Sequence, residues 1–333
     1  MFLEKRVLLV LAAAVVLLVS AAFTFLLRDD GLPLVFLVYD SEEGDLSYTD
    51  NALRGLLAAA NETKFRHRVF VLPERDLFRR QIAESSGPER PGLVITVGYN
   101  FAESTRQWAE ENPDISFLAI DQSSSGAKNV RAEEFTAYGS SYLAGILAAN
   151  ATKTGRVGIV LGAPSTVLDS FLAGYRDGAG RSVAVDVKYI ANDTSGFMDP
   201  DRAGEIAASM YLNGTDVIYT VAGFSGTGAI REAEKAPGRY IIGVDSDQSG
   251  LGPSVVLASA VKRVDVAVHT GIVRYLNGTF TPGEELLGLS SGGTDLVFNP
   301  AFSGFEEGVM AGRDEAEQAE ARYLAIRVTG GNV

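Results

Sequence analysis

The chain contains no cysteine, and this absence removes several kinds of chemistry at once. It excludes disulfide bonds, lipid attachment at a cysteine and a thiol nucleophile. Histidine is almost as scarce, because only His67 and His269 occur and neither has other donors at a metal-ligand spacing. A Gly-x-Ser-x-Gly motif is also missing. We therefore expect no catalytic residue, no metal site and no cofactor.

Basic residues are outnumbered, with 29 Lys and Arg against 42 Asp and Glu and a net charge of −13. Nucleic-acid binding requires a basic surface, so we expect no nucleic-acid partner and read the acidity as a source of solubility. The 333 residues are 46% hydrophobic and 21% charged, which indicates a globular protein long enough for two domains.

One long apolar run stands at 7–27, directly after Lys5 and Arg6. A helix of about 20 apolar residues spans the hydrocarbon core of a membrane, and basic residues before it favour an N-terminus inside the cell. We predict that residues 1–30 form a membrane anchor, with its helix at 7–27 in the cell membrane and the folded part outside the cytoplasm. A cleaved signal peptide is the alternative, because small residues occur at 20–22.

Asparagine is followed by threonine two residues later at five of its eleven positions, which are Asn61, Asn150, Asn192, Asn213 and Asn277. Asn-x-Thr is the acceptor motif for N-glycosylation of exported proteins. Asn-Gly at 213 and 277 is also typical of simple turns. Both interpretations remain open from the sequence.

Apolar runs of strand length alternate with helical runs from residue 34 onward, which predicts a parallel sheet covered by helices on both faces. The alternation restarts after about 137, so we predict two Rossmann-like α/β lobes with a cleft between them. The chain is expected to cross between lobes more than once. Lobe 1 would contain about 33–137 and 250–290, and lobe 2 about 138–249 and the C-terminal part.

Four of the predicted strands end in glycine or aspartate, at Gly98, Asp121, Gly223 and Asp245. Open α/β sheets bind ligands at the carboxyl ends of their strands, so these residues are expected to converge on one small polar molecule. Carboxylates there would accept hydrogen bonds from ligand hydroxyl or N–H groups. The glycine-rich loop at 223–228 lacks the lysine of a P-loop and follows a late strand, which argues against a dinucleotide site.

Two aromatic residues, Tyr48 and Phe197, are each expected in a loop of a different lobe, beside small polar residues. Rings from opposite lobes can close on a flat base, with each stack contributing about 1–3 kcal/mol. Ordinary packing within the loops is the alternative for each ring.

Several segments together resemble the basic membrane protein family of ABC-transporter substrate-binding proteins, whose best understood members are purine nucleoside receptors. The segments are SYLAG at 141–145, TKTGRVG at 152–158, FMDP at 197–200, AG at 222–223 with GTG at 226–228, GVDSDQ at 243–248 and VKRVD at 261–265. The resemblance implies a type I periplasmic-binding-protein fold, in which two lobes joined by a three-segment hinge close on the ligand.

The resemblance also implies roles for individual residues. Tyr48 and Phe197 would sandwich the base, and Asp121 and Asp245 would bind base and ribose. Together with the strand-end glycines, the predicted ligand-binding residues are Asp40, Tyr48, Thr49, Gly98, Asp121, Phe197, Gly223, Asp245 and Lys262. Thr49 stands where the family typically has an asparagine, so the resemblance does not predict which base is preferred.

The expected function is that of a membrane-anchored receptor that captures a nucleoside, with a purine favoured, and delivers it to an ABC permease. Such a receptor is not an enzyme, and a monomer is the expected state for a cleft that opens and closes. A ligand sensor that uses the same module for signalling is one alternative. A nucleoside or sugar hydrolase, with Asp121 and Asp245 as its acid and base, is another.

Overall fold

The computed structural model describes residues 31–39, 48–71, 75–123 and 126–328. Strands and helices alternate along these residues, as the sequence predicts. The strands are β1 (Leu34–Tyr39), β2 (Arg66–Val71), β3 (Leu93–Val97), β4 (Ser116–Ile120), β5 (Val130–Phe135), β6 (Arg156–Leu161), β7 (Ala184–Tyr189), β8 (Val217–Val221), β9 (Tyr240–Asp245), β10 (Val256–Lys262), β11 (Gly283–Leu287) and β12 (Thr294–Phe298). The helices are α1 (Tyr48–Glu62), α2 (Arg75–Glu84), α3 (Ala102–Glu111), α4 (Tyr138–Ala151), α5 (Thr166–Ala179), α6 (Pro200–Leu212), α7 (Gly226–Ala233), α8 (Val264–Leu276), α9 (Glu306–Met310) and α10 (Arg313–Val328).

The strands form two six-stranded sheets, which confirms the predicted two-lobed α/β architecture. The first sheet has the order β11-β5-β4-β3-β1-β2, and all its neighbours are parallel. The second has the order β12-β10-β9-β8-β6-β7 and is parallel except for the antiparallel pair of β10 and β12. In each sheet the order reverses near the middle, so the carboxyl ends of the central strands face a crevice.

The central strands of each sheet are buried on both faces, whereas the edge strands β2 and β7 are partly exposed. Alternate residues of β1 contribute to two different hydrophobic clusters, Val35, Leu37 and Tyr39 on one face and Leu34, Phe36 and Val38 on the other. Side chains of a strand alternate between the faces of a sheet, so a strand covered on both faces needs an uninterrupted apolar run. The same reasoning explains the runs in β3, β8 and β10, all of which are buried along their length.

The chain passes between the two sheets three times. It leaves the first sheet after β5, returns to it after β10 and leaves it again after β11. Helix α8 packs on α1 of the first lobe, and β11 pairs with β5. Of the segment 250–290 assigned to lobe 1 from the sequence, β10 therefore lies in the second sheet, whereas α8 and β11 belong with the first.

Two local features differ from the sequence-based expectation. Strand β5 was not predicted, because Arg131, Glu133 and Glu134 interrupt its apolar pattern. Tyr48 was expected in a loop but is the first residue of α1.

The predicted anchor at 7–27 lies outside the described residues. Within the described ranges, no helix is both long enough and apolar enough to cross a membrane.

Candidate functional site

A cavity of about 480 Å³ lies between the two lobes. The first lobe lines it with the ends of β1, β3 and β4 and the start of α1, and the second with the ends of β8, β9 and β10 and the start of α5. Its volume falls within the range of ordinary small-molecule sites. The carboxyl ends of both sheets thus meet at one concave site, as the strand-end residues predict.

Eight of the nine residues predicted from the sequence to bind the ligand line this cavity. They are Tyr48, Thr49, Gly98, Asp121, Phe197, Gly223, Asp245 and Lys262. The ninth, Asp40, lies outside the described residues. The structure therefore brings together side chains from both lobes that are up to 214 residues apart in the chain, between Tyr48 and Lys262.

A buried ion pair joins the lobes inside the cavity. The Nζ atom of Lys262, at the end of β10, donates to Oδ2 of Asp121, which follows β4, at 2.5 Å. Their side chains are only 5% and 6% exposed. The other carboxylate oxygen of Asp121 accepts a hydrogen bond from the backbone N–H of Phe135 at 3.2 Å. Because each charge is desolvated, each depends on the other for compensation.

Asp121 and Asp245 share an unusual backbone conformation. Their φ angles are +60° and +63°, and no other non-glycine residue in the described part of the chain has a positive φ. The left-handed region is uncommon for side-chain-bearing residues, although aspartate tolerates it better than most. Asp121 directly follows β4 and Asp245 is the last residue of β9, both central strands, and both aspartates line the cavity. Such conformations concentrate at functional sites, which makes these two carboxylates the strongest polar candidates.

Helix α1 holds the first lobe against the strand ends of the second. The Nδ2 atom of Asn51 donates to the backbone oxygens of Asp245 at 2.8 Å and Lys262 at 3.3 Å. The helix also approaches α8 closely, since a Cβ added to Gly55 would lie 2.3 Å from the backbone oxygen of Asp265. These contacts fix the start of α1, and with it the ring of Tyr48, at the cavity.

The ammonium group of Lys262 is surrounded by aromatic rings. Its Nζ lies 5.5 Å from the ring centroids of both Tyr48 and Phe171, and 5.9 Å from that of Phe135. Cation–π attraction at these distances contributes about 0.5–2 kcal/mol. Phe171 lines the cavity from α5 and was missed from the sequence, where its position in a helix indicated only core packing.

Phe197 lies against two glycines. A Cβ added to Gly162 would fall 2.6 Å from two carbons of the Phe197 ring, and one added to Gly223 would lie 3.7 Å from its Cβ. Gly223 also has a φ of +53°, a conformation that favours glycine. The turn that bears Phe197 (Thr194–Phe197) is fixed by Ser225, whose hydroxyl donates to the backbone oxygen of Gly196 at 2.8 Å.

Further lining residues were not predicted. Asn100 adds an amide to the first-lobe side of the cavity, and Tyr99 and Met198 lie at its exposed rim on opposite lobes, at 41% and 49% exposure. Asp121, Asp245 and Lys262 are the charged side chains of the described lining. No group of three or more His, Cys, Asp and Glu able to hold a metal ion occurs within the described ranges.

The fold and the cleft together define the class of this protein, a two-lobed α/β protein of the periplasmic-binding-protein type. An ABC transporter system solute-binding protein from Aeropyrum pernix K1 has a similar structure, with a TM-score of 0.72 over 90% of this chain and 92% of that one at 24% identity. This likeness shows the fold.

The family is shown by sequence. Residues 33–310 match the model of the Bmp family, described as ABC transporter substrate-binding protein PnrA-like, and the chain belongs to that family. It is similar to Basic membrane protein A2 of Borrelia garinii subsp. bavariensis, with 31% identity over 286 residues that cover 84% of this chain and 83% of the relative. It is also similar to the ABC transporter nucleoside-binding protein BmpA of Lactococcus lactis subsp. cremoris, at 34% identity over 67% of this chain and 68% of the relative. The resemblance read from the sequence motifs is therefore confirmed.

Proposed function

We propose that this substrate-binding protein captures a nucleoside, with purines the favoured class, in the cleft between its lobes. The observation that carries this proposal is the combination of rings and carboxylates on one cavity, with Tyr48 and Phe197 contributed by different lobes. Planar bases stack on aromatic rings, and ribose hydroxyls donate to carboxylates. The nucleoside-binding relative from Lactococcus lactis supports the same ligand class.

Each polar residue has a place in this scheme. Asp245 accepts from the ribose hydroxyls, and Asp121 accepts from an N–H group of the base, while Lys262 donates to a ligand oxygen. The ion pair between Asp121 and Lys262 already neutralises two of the three charges of the described lining. The third charge is the Asp245 carboxylate, which can accept hydrogen bonds from a neutral ligand. The phosphate of a nucleotide would be repelled by this negative charge and would need additional cations in the site.

The proposed location is the outer side of the cell membrane, with the apolar run at 7–27 as the anchor and an ABC permease as the partner that receives the ligand. The basic residues Lys5 and Arg6 support this orientation. The proposed working unit is a monomer, because the lobes must open and close around the ligand.

Isothermal titration of the full chain in detergent micelles tests the ligand class. Adenosine, guanosine, inosine, cytidine and uridine are the probes, with adenosine 5′-monophosphate as the charged comparison. We expect a Kd below about 100 μM for at least one nucleoside, equivalent to more than about 5 kcal/mol of binding free energy, and weaker binding of the nucleotide. If none of the five nucleosides binds in this range, the proposed function is wrong.

The same sample separates binding from hydrolysis. Asp121 and Asp245 are the acidic pair that a hydrolase would require, but Asp121 is already bound to Lys262 and to a backbone N–H. We expect the nucleoside to be recovered intact after prolonged incubation, with no free base seen by chromatography. Sensing in place of transport would be indicated if deletion of the cognate permease left a ligand-dependent cellular response unchanged.

A further inference from the structure

The five Asn-x-Thr motifs are more numerous than the composition explains. The chain has eleven asparagines and eighteen threonines in 333 residues, so fewer than one such motif is expected by chance. The nucleoside cleft does not account for them, because none of the five asparagines lines it. Their positions on the surface therefore need a separate explanation.

The asparagines within Asn-x-Thr motifs differ in solvent exposure from the asparagines outside them. The five that precede a threonine by two residues are all exposed, namely Asn61, Asn150, Asn192, Asn213 and Asn277. The other asparagines of the described residues are all buried or half-buried, namely Asn51, Asn100, Asn112, Asn129 and Asn299. Every exposed asparagine in the described part of the chain thus belongs to an acceptor motif for N-glycosylation.

Most asparagines of the buried or half-buried group use their side-chain amides in hydrogen bonds that stabilise the fold. Asn112 donates to the backbone oxygen of Trp108, Asn129 to three backbone oxygens, and Asn299 to those of Pro253 and Val256. In the exposed group, Asn213 makes a comparable bond, to the backbone oxygen of Ser209 at 2.8 Å.

Four of the exposed asparagines lie on the two ends of the molecule that are remote from the cleft. Asn61 and Asn150 are in the last turns of α1 and α4, and Asn213 and Asn277 follow the last residues of α6 and α8. The cleft is formed by the carboxyl ends of the strands, and the helices of a parallel α/β lobe run in the opposite direction. The carboxyl ends of these helices therefore point away from the ligand. The fifth, Asn192, lies on the cleft side, two residues before the lining residue Thr194.

Turn formation explains only part of this pattern. Asn213 and Asn277 precede glycines with φ of +91° and +70°, which is the usual way to end a helix. A turn of this kind requires the glycine but does not require a threonine after it. Asn61, Asn150 and Asn192 precede no glycine at all.

We infer that this protein is N-glycosylated, at the four asparagines remote from the cleft in particular. The inference rests on the proposed location outside the cytoplasm. The donor is a lipid-linked oligosaccharide: the asparagine Nδ2 attacks the anomeric carbon, a new N–C bond forms and the bond from that carbon to the lipid phosphate breaks. Nδ2 loses one proton, the lipid phosphate leaves, and no oxidation or reduction occurs. Attached sugars at these positions extend from the surface without obstructing the cleft.

Mass spectrometry of the protein isolated from its own cells tests this inference. After proteolysis, we expect sugar-derived mass on peptides that contain Asn61, Asn150, Asn213 or Asn277, and none on the peptide that contains Asn129. Detection of all five motif peptides only at their unmodified mass would overturn the inference. Modification restricted to Asn192 would overturn its assignment to the remote ends of the molecule.

A pair of variants at one motif supplies the matched control. Thr279 is exposed, and its hydroxyl makes only a long bond of 3.3 Å to the backbone oxygen of Arg274. In the native host, Thr279→Ser keeps the acceptor motif and should retain the sugar on Asn277, whereas Thr279→Ala should lose it completely. The same sugar-derived mass increment on the Asn277 peptide of both variants would contradict motif-directed modification.

Nucleoside binding and glycosylation can be tested separately. Nucleoside titration of unglycosylated protein, produced in a host that lacks N-glycosylation, reports on the cleft alone. We expect the quadruple variant with Asn61, Asn150, Asn213 and Asn277 changed to Gln to bind the nucleoside within about twofold of the parent. Loss of nucleoside binding in both proteins, with sugars still found on the native protein, would reject the ligand assignment and leave the glycosylation intact.

Discussion

Among the described residues, six aromatic side chains line the cleft, namely Tyr39, Tyr48, Tyr99, Phe171, Phe197 and Phe224. The proposed stack uses only two of them. Tyr48 is held by the start of α1, and Phe197 by the turn that Ser225 fixes, so the backbone of each ring-bearing segment is positioned before any ligand arrives. Preorganised rings lose little conformational freedom on binding, which favours them as the residues that grip a planar base.

Removing either ring should weaken nucleoside binding without unfolding the protein. We expect Tyr48→Ala and Phe197→Ala each to cost about 1–3 kcal/mol, or roughly 5- to 150-fold in Kd, because one base–ring contact is lost. Titration calorimetry measures the affinity and circular dichroism the fold. Tyr189→Ala is the matched control, since Tyr189 is exposed and lies outside the cleft lining. Parent-like binding by both cleft variants would place the base elsewhere.

Gly162 should control the position of the Phe197 ring although it does not itself line the cleft. A methyl group at this residue would lie 2.6 Å from ring carbons, so the ring has to shift in Gly162→Ala, and we expect it to move toward the ligand. We expect purine nucleosides to lose more affinity than the smaller pyrimidine nucleosides. Gly304→Ala adds the same methyl group where no atom lies within 4 Å and should leave binding unchanged.

A double-mutant cycle shows whether Gly162 acts through the ring. If it does, the effect of Gly162→Ala on purine affinity should largely disappear in the Phe197→Ala background, because the group that is displaced is missing. Additive losses from the two substitutions would instead indicate that Gly162 influences binding through the backbone.

Site residues were predictable from the sequence where a strand ends in glycine or aspartate, or where a family motif marks the position. Asp121 and Asp245 satisfy both conditions. Phe171 satisfies neither, because its i,i+4 spacing from Val167 is the ordinary pattern of a helix packed on a core. Its proximity to Lys262 depends on how α5 packs against α4. The two helices approach closely because Gly174 and Gly178 of α5 have no side chains that would collide with the backbone oxygens of Tyr138 and Tyr142.

Among the secondary-structure elements, the central strands were predicted well. A strand that is buried on both faces has a continuous apolar sequence, and such a sequence is easy to recognise. Strand β5 was missed because its sequence contains charged residues although most of the strand is buried. Glu133 is buried, and its carboxylate accepts from Arg131 at 2.8 Å and Arg274 at 3.3 Å. Arg274 comes from α8, 141 residues further along the chain. The local sequence shows three charged residues in this strand but does not show that Arg274 of a distant helix helps to compensate the buried Glu133.

Helix α10 has a role that its sequence pattern did not predict. It lies beyond residue 310, where the match to the family model ends. The buried carboxylate of Glu320 accepts from the backbone N–H groups of Gly139 and Leu289, both at 2.9 Å. These two residues follow two of the three passages between the lobes, so α10 holds them together through one side chain.

Replacing Glu320 should destabilise the protein measurably. Glu320→Ala leaves two buried N–H groups without an acceptor, and we expect it to lower the free energy of unfolding by about 1–3 kcal/mol per group left unpaired. Urea unfolding at neutral pH measures the change. Glu317→Ala, on the same helix but outside this contact, is the control and should cost much less. Similar losses in the two variants would show that Glu320 does not hold the passages together.

Stability should also depend on pH through Glu320. Burial raises the pKa of this carboxyl. The folded protein therefore binds the proton more tightly than the unfolded chain, and this contribution is complete below the unfolded-state pKa of about 4.3 and is lost as pH rises through the folded-state pKa. Relative to the non-titrating Glu320→Gln variant, the parent should lose stability from pH 4 to pH 7. An unchanged difference across this range would show that the side chain titrates normally.

The two lobes are joined inside the cleft by polar contacts as well as by the three passages of the chain. Asn51 of the first lobe donates to the strand ends of the second, and Lys262 of the second lobe forms its ion pair with Asp121 of the first. The side chains of this pair are only 5% and 6% exposed with the lobes together, and we expect separation of the lobes to expose both to water. Opening would hydrate both charges, so the balance between closed and open forms depends on how well the pair is compensated.

Breaking this pair should open the molecule. In Lys262→Met, the Asp121 carboxylate keeps its bond from the Phe135 N–H but loses its only ion-pair partner among the described residues. A buried uncompensated charge costs about 3–5 kcal/mol, and separation of the lobes relieves that cost by admitting water. We expect a larger radius of gyration for the variant than for the parent, measured by small-angle X-ray scattering in the absence of nucleoside.

The double variant Asp121→Asn/Lys262→Met provides the decisive comparison. It removes both charges, so no buried ion remains to favour the open form, and its radius of gyration should return toward that of the parent. Both variants should bind nucleosides weakly, since each alters residues on the cleft lining. Equal dimensions for the single variant, the double variant and the parent would mean that the chain passages and Asn51 alone hold the lobes, and that the ion pair serves only the ligand.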